Sequence, residues 1–252
     1  MKTFQTIISA ALSLMVVALI GCNKQKGTVI DHSEGANGGD ISNYTVYEEY
    51  KTASASYLCE GDTTFGKSTT VYTTASISVQ WPRRFGDANV KALQDTIIAH
   101  TFIAPKASID SCIIDFVSKP IGYGESVLKR VADVPEQSEN VRVLSKNISV
   151  KTVGFCEKYV VFKIEQDQFT GGAHPNYFAN YVNYDLKNKR VLPYANIFKQ
   201  GCDDALLPIL KNALLHNYYA ETLDEVAEKS GIFIDELFVS HKLYLTGDDI
   251  VF

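Results

Sequence analysis

Thr170-Gly171-Gly172-Ala173-His174-Pro175 carries the strongest local signal for chemistry in this chain. Two adjacent glycines permit positive φ and a tight reversal, while Pro175 biases His174 toward an extended conformation, so a hairpin is expected with His174 at its exit. An imidazole in that position could serve as a general base or a ligand contact, oriented by Glu165, Asp167 or Asp185 on neighbouring strands. The plainer reading, which the residues favour, is a structural hairpin whose imidazole bonds to backbone groups. The other histidines add little: the five, at 32, 100, 174, 216 and 241, contain no H-E-x-x-H and no ligand pair at one-turn spacing. No G-x-S-x-G elbow occurs either, so neither a metal, a cofactor nor a serine nucleophile is expected.

Gly61-Asp62-Thr63-Thr64-Phe65-Gly66-Lys67-Ser68 matches the phosphate-loop pattern letter for letter. The mechanism behind that pattern needs a helix after the loop, so that backbone amides converge on the phosphates. A β-branched run follows instead, and Asp62 would set a carboxylate beside the anion. The segment is expected to be a hairpin turn, and no nucleotide is expected as a partner.

Cys22 invites a different chemistry. Lys2, an uncharged apolar run from Ile7 to Ile20, and then Leu19-Ile20-Gly21-Cys22 read as a lipoprotein signal, residues 1–21, whose cysteine becomes the acylated first residue. A run this short is cut, whereas a spanning helix needs about 20 apolar residues. Two or three acyl chains on Cys22 would hold the protein to a bilayer. Asn23 and Lys24 lack the aspartate that favours inner-membrane retention, which points to the outer membrane, facing the periplasm or the surface. The other four cysteines, Cys59, Cys112, Cys156 and Cys202, permit two disulfides in any of three pairings in an exported chain, or four buried thiols.

Loss of residues 1–21 removes one Lys, leaving 23 basic against 29 acidic residues, a net charge near −6. That sign, with no basic run, argues against nucleic acid as a partner. Residues 22–42 hold few apolar side chains and form a tether of roughly 25 Å.

The elements that must position these residues follow from periodicity. Val71, Thr73, Ala75, Ile77, Val79 and Trp81 alternate with polar residues as a half-buried strand, which Pro82 is expected to close. Asp87 is placed to cap a helix striped by Val90, Leu93, Ile97 and Ile98. Pro and Gly between 120 and 140 mark a boundary. Strands are expected at about 140–153, 157–166 and 177–186, the last turning at Lys187-Asn188-Lys189 and resuming at Arg190. A helix with Leu206, Ile209, Leu210, Ala213 and Leu214 on one stripe, and Pro208 in its first turn, comes next. A short acidic helix near 223–229 precedes strands at about 232–239 and 243–252. The fold class is α+β, antiparallel sheets with inserted helices, in two packed subdomains at 43–130 and 140–252. Tyr177 and Tyr181 share a face of their strand, where flat rings could stack on sugars or anchor a protein, or pack across strands.

Gly171-Gly172-Ala173-His174-Pro175, Tyr177, Tyr184-Asp185-Leu186, a charged turn, and Leu192 to Phe198 together resemble a bacterial envelope domain family of unassigned function. That family occurs in the extracellular part of the lysozyme-sensing anti-sigma factor of the sigma-V system and in the N-terminal region of a peptidoglycan deacetylase. The resemblance covers about 140–250 and, more loosely, 45–118. It implies a two-part α+β module at the envelope whose partner is cell-wall glycan or a lysozyme-like protein, and it does not imply catalysis, since the deacetylase activity of that family lies in a separate domain. The family pattern runs on past Phe252 with a tyrosine-rich strand, so a shortened chain is expected. The first expectation is thus a lipid-anchored, non-enzymatic recognition module, with Gly171, Gly172, His174, Tyr177 and Tyr181 as contacts. The alternative is a cell-wall hydrolase or deacetylase-type enzyme using His174 with Asp185 or Glu165.

Overall fold

The computed structural model describes residues 46–85, 90–156, 158–231, 237–246 and 249–251; Cys22, the tether, Asp87 and 232–236 lie outside them. Two long strands, β1 (Val46–Glu60) and β2 (Thr70–Phe85), form a hairpin. On β2, Val71, Thr73, Ala75, Ile77, Val79 and Trp81 are all buried, as their alternation requires. Pro82 does not end the strand. It pairs with Glu48 at a register shift, beyond Val79, where the pairing of β2 with its other neighbour has stopped, so its missing N–H costs the ladder nothing.

Helices α1 (Lys91–Thr101) and α2 (Ile109–Ser118) follow. The side chain of Ser108 caps α2 by accepting from the Ser111 amide. Leu93, Ile97 and Ile98 from α1, and Ile109, Cys112 and Ile113 from α2, bury against Ile77, Val79, Trp81, Ile148, Val150, Phe162 and Ile164 of the sheet. Each fully buried aliphatic chain here contributes about 2 kcal/mol. The chain then supplies a short strand, β3 (Val127–Val131), to the outer edge of β1.

Next come β4 (Val141–Phe155), β5 (Tyr159–Phe169), β6 (Asn176–Asp185) and the two-residue β7 (Arg190–Val191). The order β3-β1-β2-β4-β5-β6-β7 makes one seven-stranded sheet, antiparallel except where β2 and β4 run parallel from Thr70↔Val141 to Val79↔Val150. Parallel neighbours need a crossover, and α1 and α2 provide it on one face. The segment at 120–140, expected as a boundary, is therefore spanned by a continuous sheet, and it contributes an edge strand.

After the short helix α3 (Tyr194–Ile197) comes α4 (Asp203–Asn217), which begins early enough to put Pro208 in its second turn. No residue of α4 is buried, and Ile209, expected on its inner stripe, is exposed; the inward side is instead half-buried Leu206, Leu207, Leu210, Leu214 and Leu215. Thr222 caps α5 (Leu223–Ser230). Residues 237–239, expected as strand, are irregular, and β8 (Tyr244–Thr246) and β9 (Asp249–Val251) make a separate hairpin. No disulfide joins the four described cysteines. Cys112 belongs to the core beneath the helices and Cys59 to a second cluster with Val71 and Leu144, so two of the thiols pack as small hydrophobes in different places. Burial, aided by Asp62, pushes the Cys59 thiol up to about 11.

Candidate functional site

The sheet face opposite α1 and α2 carries the polar half of every alternating strand. Register aligns these residues into rows across the strands. One row reads Ser54, Ser76, Asn147, Asp167 and Tyr177, each directly paired with the next on β1, β2, β4, β5 and β6. The neighbouring row reads Thr52, Ser78, Ser149, Glu165 and Ala179. At about 4.8 Å per strand the first row spans roughly 19 Å. Its side chains are linked: the Ser76 hydroxyl donates to Asn147 Oδ1 at 2.5 Å, and Asn147 Nδ2 donates to Asp167 Oδ2 at 2.7 Å.

Tyr177 closes the row with a ring 62% exposed. Its hydroxyl donates diagonally to Glu165 Oε1 at 2.5 Å, and Glu165 in turn pairs with Lys163 Nζ at 2.6 Å. The Lys163 ammonium, then the Tyr177 hydroxyl, hold the Glu165 carboxyl below its ordinary value, and Glu165 raises the Tyr177 phenol. A wide, half-exposed strip of hydroxyls, amides and carboxylates ending at a fixed aromatic face can accept many hydrogen bonds and one stacked ring.

The other end of this face is covered by the C-terminal hairpin. Asn183, buried on β6, donates to the Leu243 carbonyl at 2.9 Å and accepts from the Leu245 amide at 3.0 Å, so one amide side chain replaces a strand pairing. Gly154 admits the close approach, since a Cβ there would stand 2.5 Å from the Leu245 carbonyl oxygen. Tyr244 stacks on Tyr181 with centroids 4.6 Å apart. Tyr181 therefore packs within the molecule, whereas Tyr177 faces solvent.

Residues 61–69 form the turn expected between β1 and β2, with Asp62 Oδ1 accepting from the Thr64 amide, and β2 follows where a phosphate loop would need a helix. This turn meets the Gly171 hairpin: Gly171 has φ +90°, and the Phe65 ring occupies the place of its side chain. Tyr123 donates to the Thr170 carbonyl at 2.7 Å and meets Phe65 edge-on. Gly171 thus serves packing, while Gly172 lies open.

His174 is exposed, and the partner shown for its ring is the adjacent Pro175 carbonyl, 3.1 Å from Nδ1. Glu165 bonds Tyr177 and Lys163. Asp185 sits at the far end of β6, about 30 Å along the strand, where it accepts from the amide and side chain of Asn188, the contacts that lower its pKa. The three residues of the enzyme reading are not brought together.

A cluster that the sequence did not announce lies at the start of α4. Asp203 accepts from the Tyr194 hydroxyl at 2.5 Å and meets His241 Nε2 at 3.0 Å; His241 stacks on Tyr194 at 3.9 Å, and Cys202 Sγ lies 3.2 Å from the Tyr194 hydroxyl. It ties the C-terminal segment to α3 and α4. Among the described residues, no group of His, Cys, Asp and Glu is arranged to hold a metal ion.

The fold has a known counterpart. A crystal structure of a member of the DUF3298 family from Bacteroides fragilis matches with a TM-score of 0.56 and 21% identity, over 81% of each chain. In architecture, this chain follows that DUF3298 protein. A DUF3298 protein from Pseudomonas aeruginosa aligns at a TM-score of 0.41 with 15% identity, over 71% of this chain and 72% of the other. DUF3298 is a bacterial domain of unknown function, in keeping with the unassigned family that the sequence resembles. No protein-family model matches the sequence, and no curated protein does.

Proposed function

We propose that this chain is a lipid-anchored recognition module of the bacterial envelope that binds cell-wall glycan without catalysis, on the open face of its sheet. The observation that carries this reading is the row from Ser54 to Tyr177, a linear polar track as long as several sugar rings that ends on an exposed, hydrogen-bonded phenol. Saccharides present hydroxyls at their edges and apolar C–H faces, the complement of such a track. The lipoprotein pattern ending at Cys22, and the resemblance of the hairpin region to envelope domains of the lysozyme-sensing anti-sigma factor and the peptidoglycan deacetylase, support the same compartment. Among the described residues no carboxylate pairs with His174, whose ring meets the Pro175 carbonyl, so this geometry does not favour the hydrolase reading.

Retention on insoluble cell wall tests the reading. Wild-type protein is expected to be retained, and Tyr177→Ala to bind about tenfold more weakly, as loss of an anchoring aromatic ring should cause. Equal retention of both proteins, retention of neither, or capture by a lysozyme-like protein alone would reject it.

A further inference from the structure

We infer that the track selects a cationic amino sugar, a glycan carrying free ammonium groups, and that Asp167 is the residue that selects it; this rests on the glycan reading of the row. Asp167 is half-buried in the middle of the open face, and its carboxylate accepts from the Asn147 amide. Among the described residues no Lys, Arg or His pairs with it. Four other acids each have a basic partner, Glu165 with Lys163, Glu49 with Lys51 and Arg83, Asp110 with Lys51 and Asp115 with Lys119, and buried Asp62, which accepts from the Thr64 amide, lies in the β1–β2 turn and off the track. A carboxylate taken partly out of water with only a neutral donor favours an incoming cation.

A second group points the same way. Tyr177 stands directly opposite Asp167 in the β5–β6 register, and the negative face of an exposed aromatic ring attracts cations. Lys163, the nearest base on the same face of β5, is already engaged by Glu165, so it leaves Asp167 uncompensated. A divalent metal ion is a poor fit, since it wants several oxygen ligands and Glu165, two residues along the same face, is already engaged by Lys163 and Tyr177. An ammonium on a sugar ring satisfies all the features together: charge for Asp167, a ring face for Tyr177, and hydroxyls for Ser76, Asn147 and Ser54.

The test is calorimetric titration of the full-length protein in detergent with glucosamine oligomers and with their N-acetylated counterparts. It is run at about pH 6, where an ordinary amine is charged. Wild type is expected to bind the free-amine oligomer about tenfold more tightly, the scale of one charge-assisted hydrogen bond, with the preference shrinking in high salt. Asp167→Asn, nearly isosteric, should bind both oligomers alike while unfolding at the wild-type temperature. Equal binding of the two oligomers by wild type, or a preference that survives in Asp167→Asn, would overturn the assignment and leave the glycan reading standing. Binding of polylysine in place of either oligomer would also overturn it. Failure to bind either oligomer, together with no retention on cell wall, would reject the glycan reading itself.

Discussion

Gly171 and Phe65 are locked face to face: a Cβ added to Gly171 would lie 2.3 Å from Phe65 Cζ, on a backbone already at φ +90°. The contact joins the β5–β6 hairpin to the β1–β2 turn, 106 positions apart in the chain (171 − 65). Gly171→Ala should therefore destabilise the protein by about 3 kcal/mol, combining a left-handed strain with an overpacked contact. Gly172→Ala, with open space around it, should be close to neutral. Chemical denaturation of the two variants makes the comparison, and Phe65→Ala in the Gly171→Ala background should recover part of the loss.

Asn183 is the corresponding fastening on the other end of the face. Its amide satisfies the Leu243 carbonyl and the Leu245 amide, so Asn183→Leu strands one buried and one half-buried backbone group and should cost about 2–3 kcal/mol. Hydrogen exchange at Leu245 should accelerate well before exchange in β4 or β5 does. Unchanged protection of Leu245 would show that the C-terminal hairpin is held by other contacts.

Glu165, Asp185 and Asp203 supply an acid-sensitive contribution. Each carboxyl is held below its ordinary value, by Lys163 and then Tyr177, by the Asn188 amide and side chain, and by the Tyr194 hydroxyl and then His241, respectively. A carboxylate whose pKa is lower in the folded state stabilises the fold above its unfolded pKa, and that contribution disappears as pH falls through the folded value. The urea midpoint should hold above about pH 4.5 and decline beneath it, the ordinary carboxylate range marking the onset. Glu165→Gln should flatten part of that decline; an unaltered slope would contradict the assignment of Glu165.

Much of this architecture was legible from periodicity, because a sheet with one covered face writes its burial pattern directly into the sequence. Val71 to Trp81, Val160 to Ile164 and the Lys187-Asn188-Lys189 turn fall where alternation and turn chemistry put them. Helix α2 is not among the expected elements, although Ile109, Cys112, Ile113, Phe116 and Val117 recur at helical spacing behind the Ser108 cap. The row from Ser54 to Tyr177 could not be read in advance, since it depends on the register of five strands, one pair of them parallel across a helical crossover. The same holds for Asp203 and His241, which meet across 38 positions. The Gly171 to Pro175 motif shapes a turn, the plainer of its two readings: its first glycine fits under Phe65 and the His174 imidazole is exposed.

The most direct measurement is a backbone amide NMR titration of the protein with soluble cell-wall oligosaccharide. The account predicts shifts concentrated on the track, at Ser76, Ser78, Asn147, Ser149, Asp167 and Tyr177, with the helix-covered residues Ile77, Val150 and Ile164 perturbed less and α1 and α2 silent. Shifts centred on the helices or on the Asp203 and His241 cluster, or no saturable shifts at all, would contradict it.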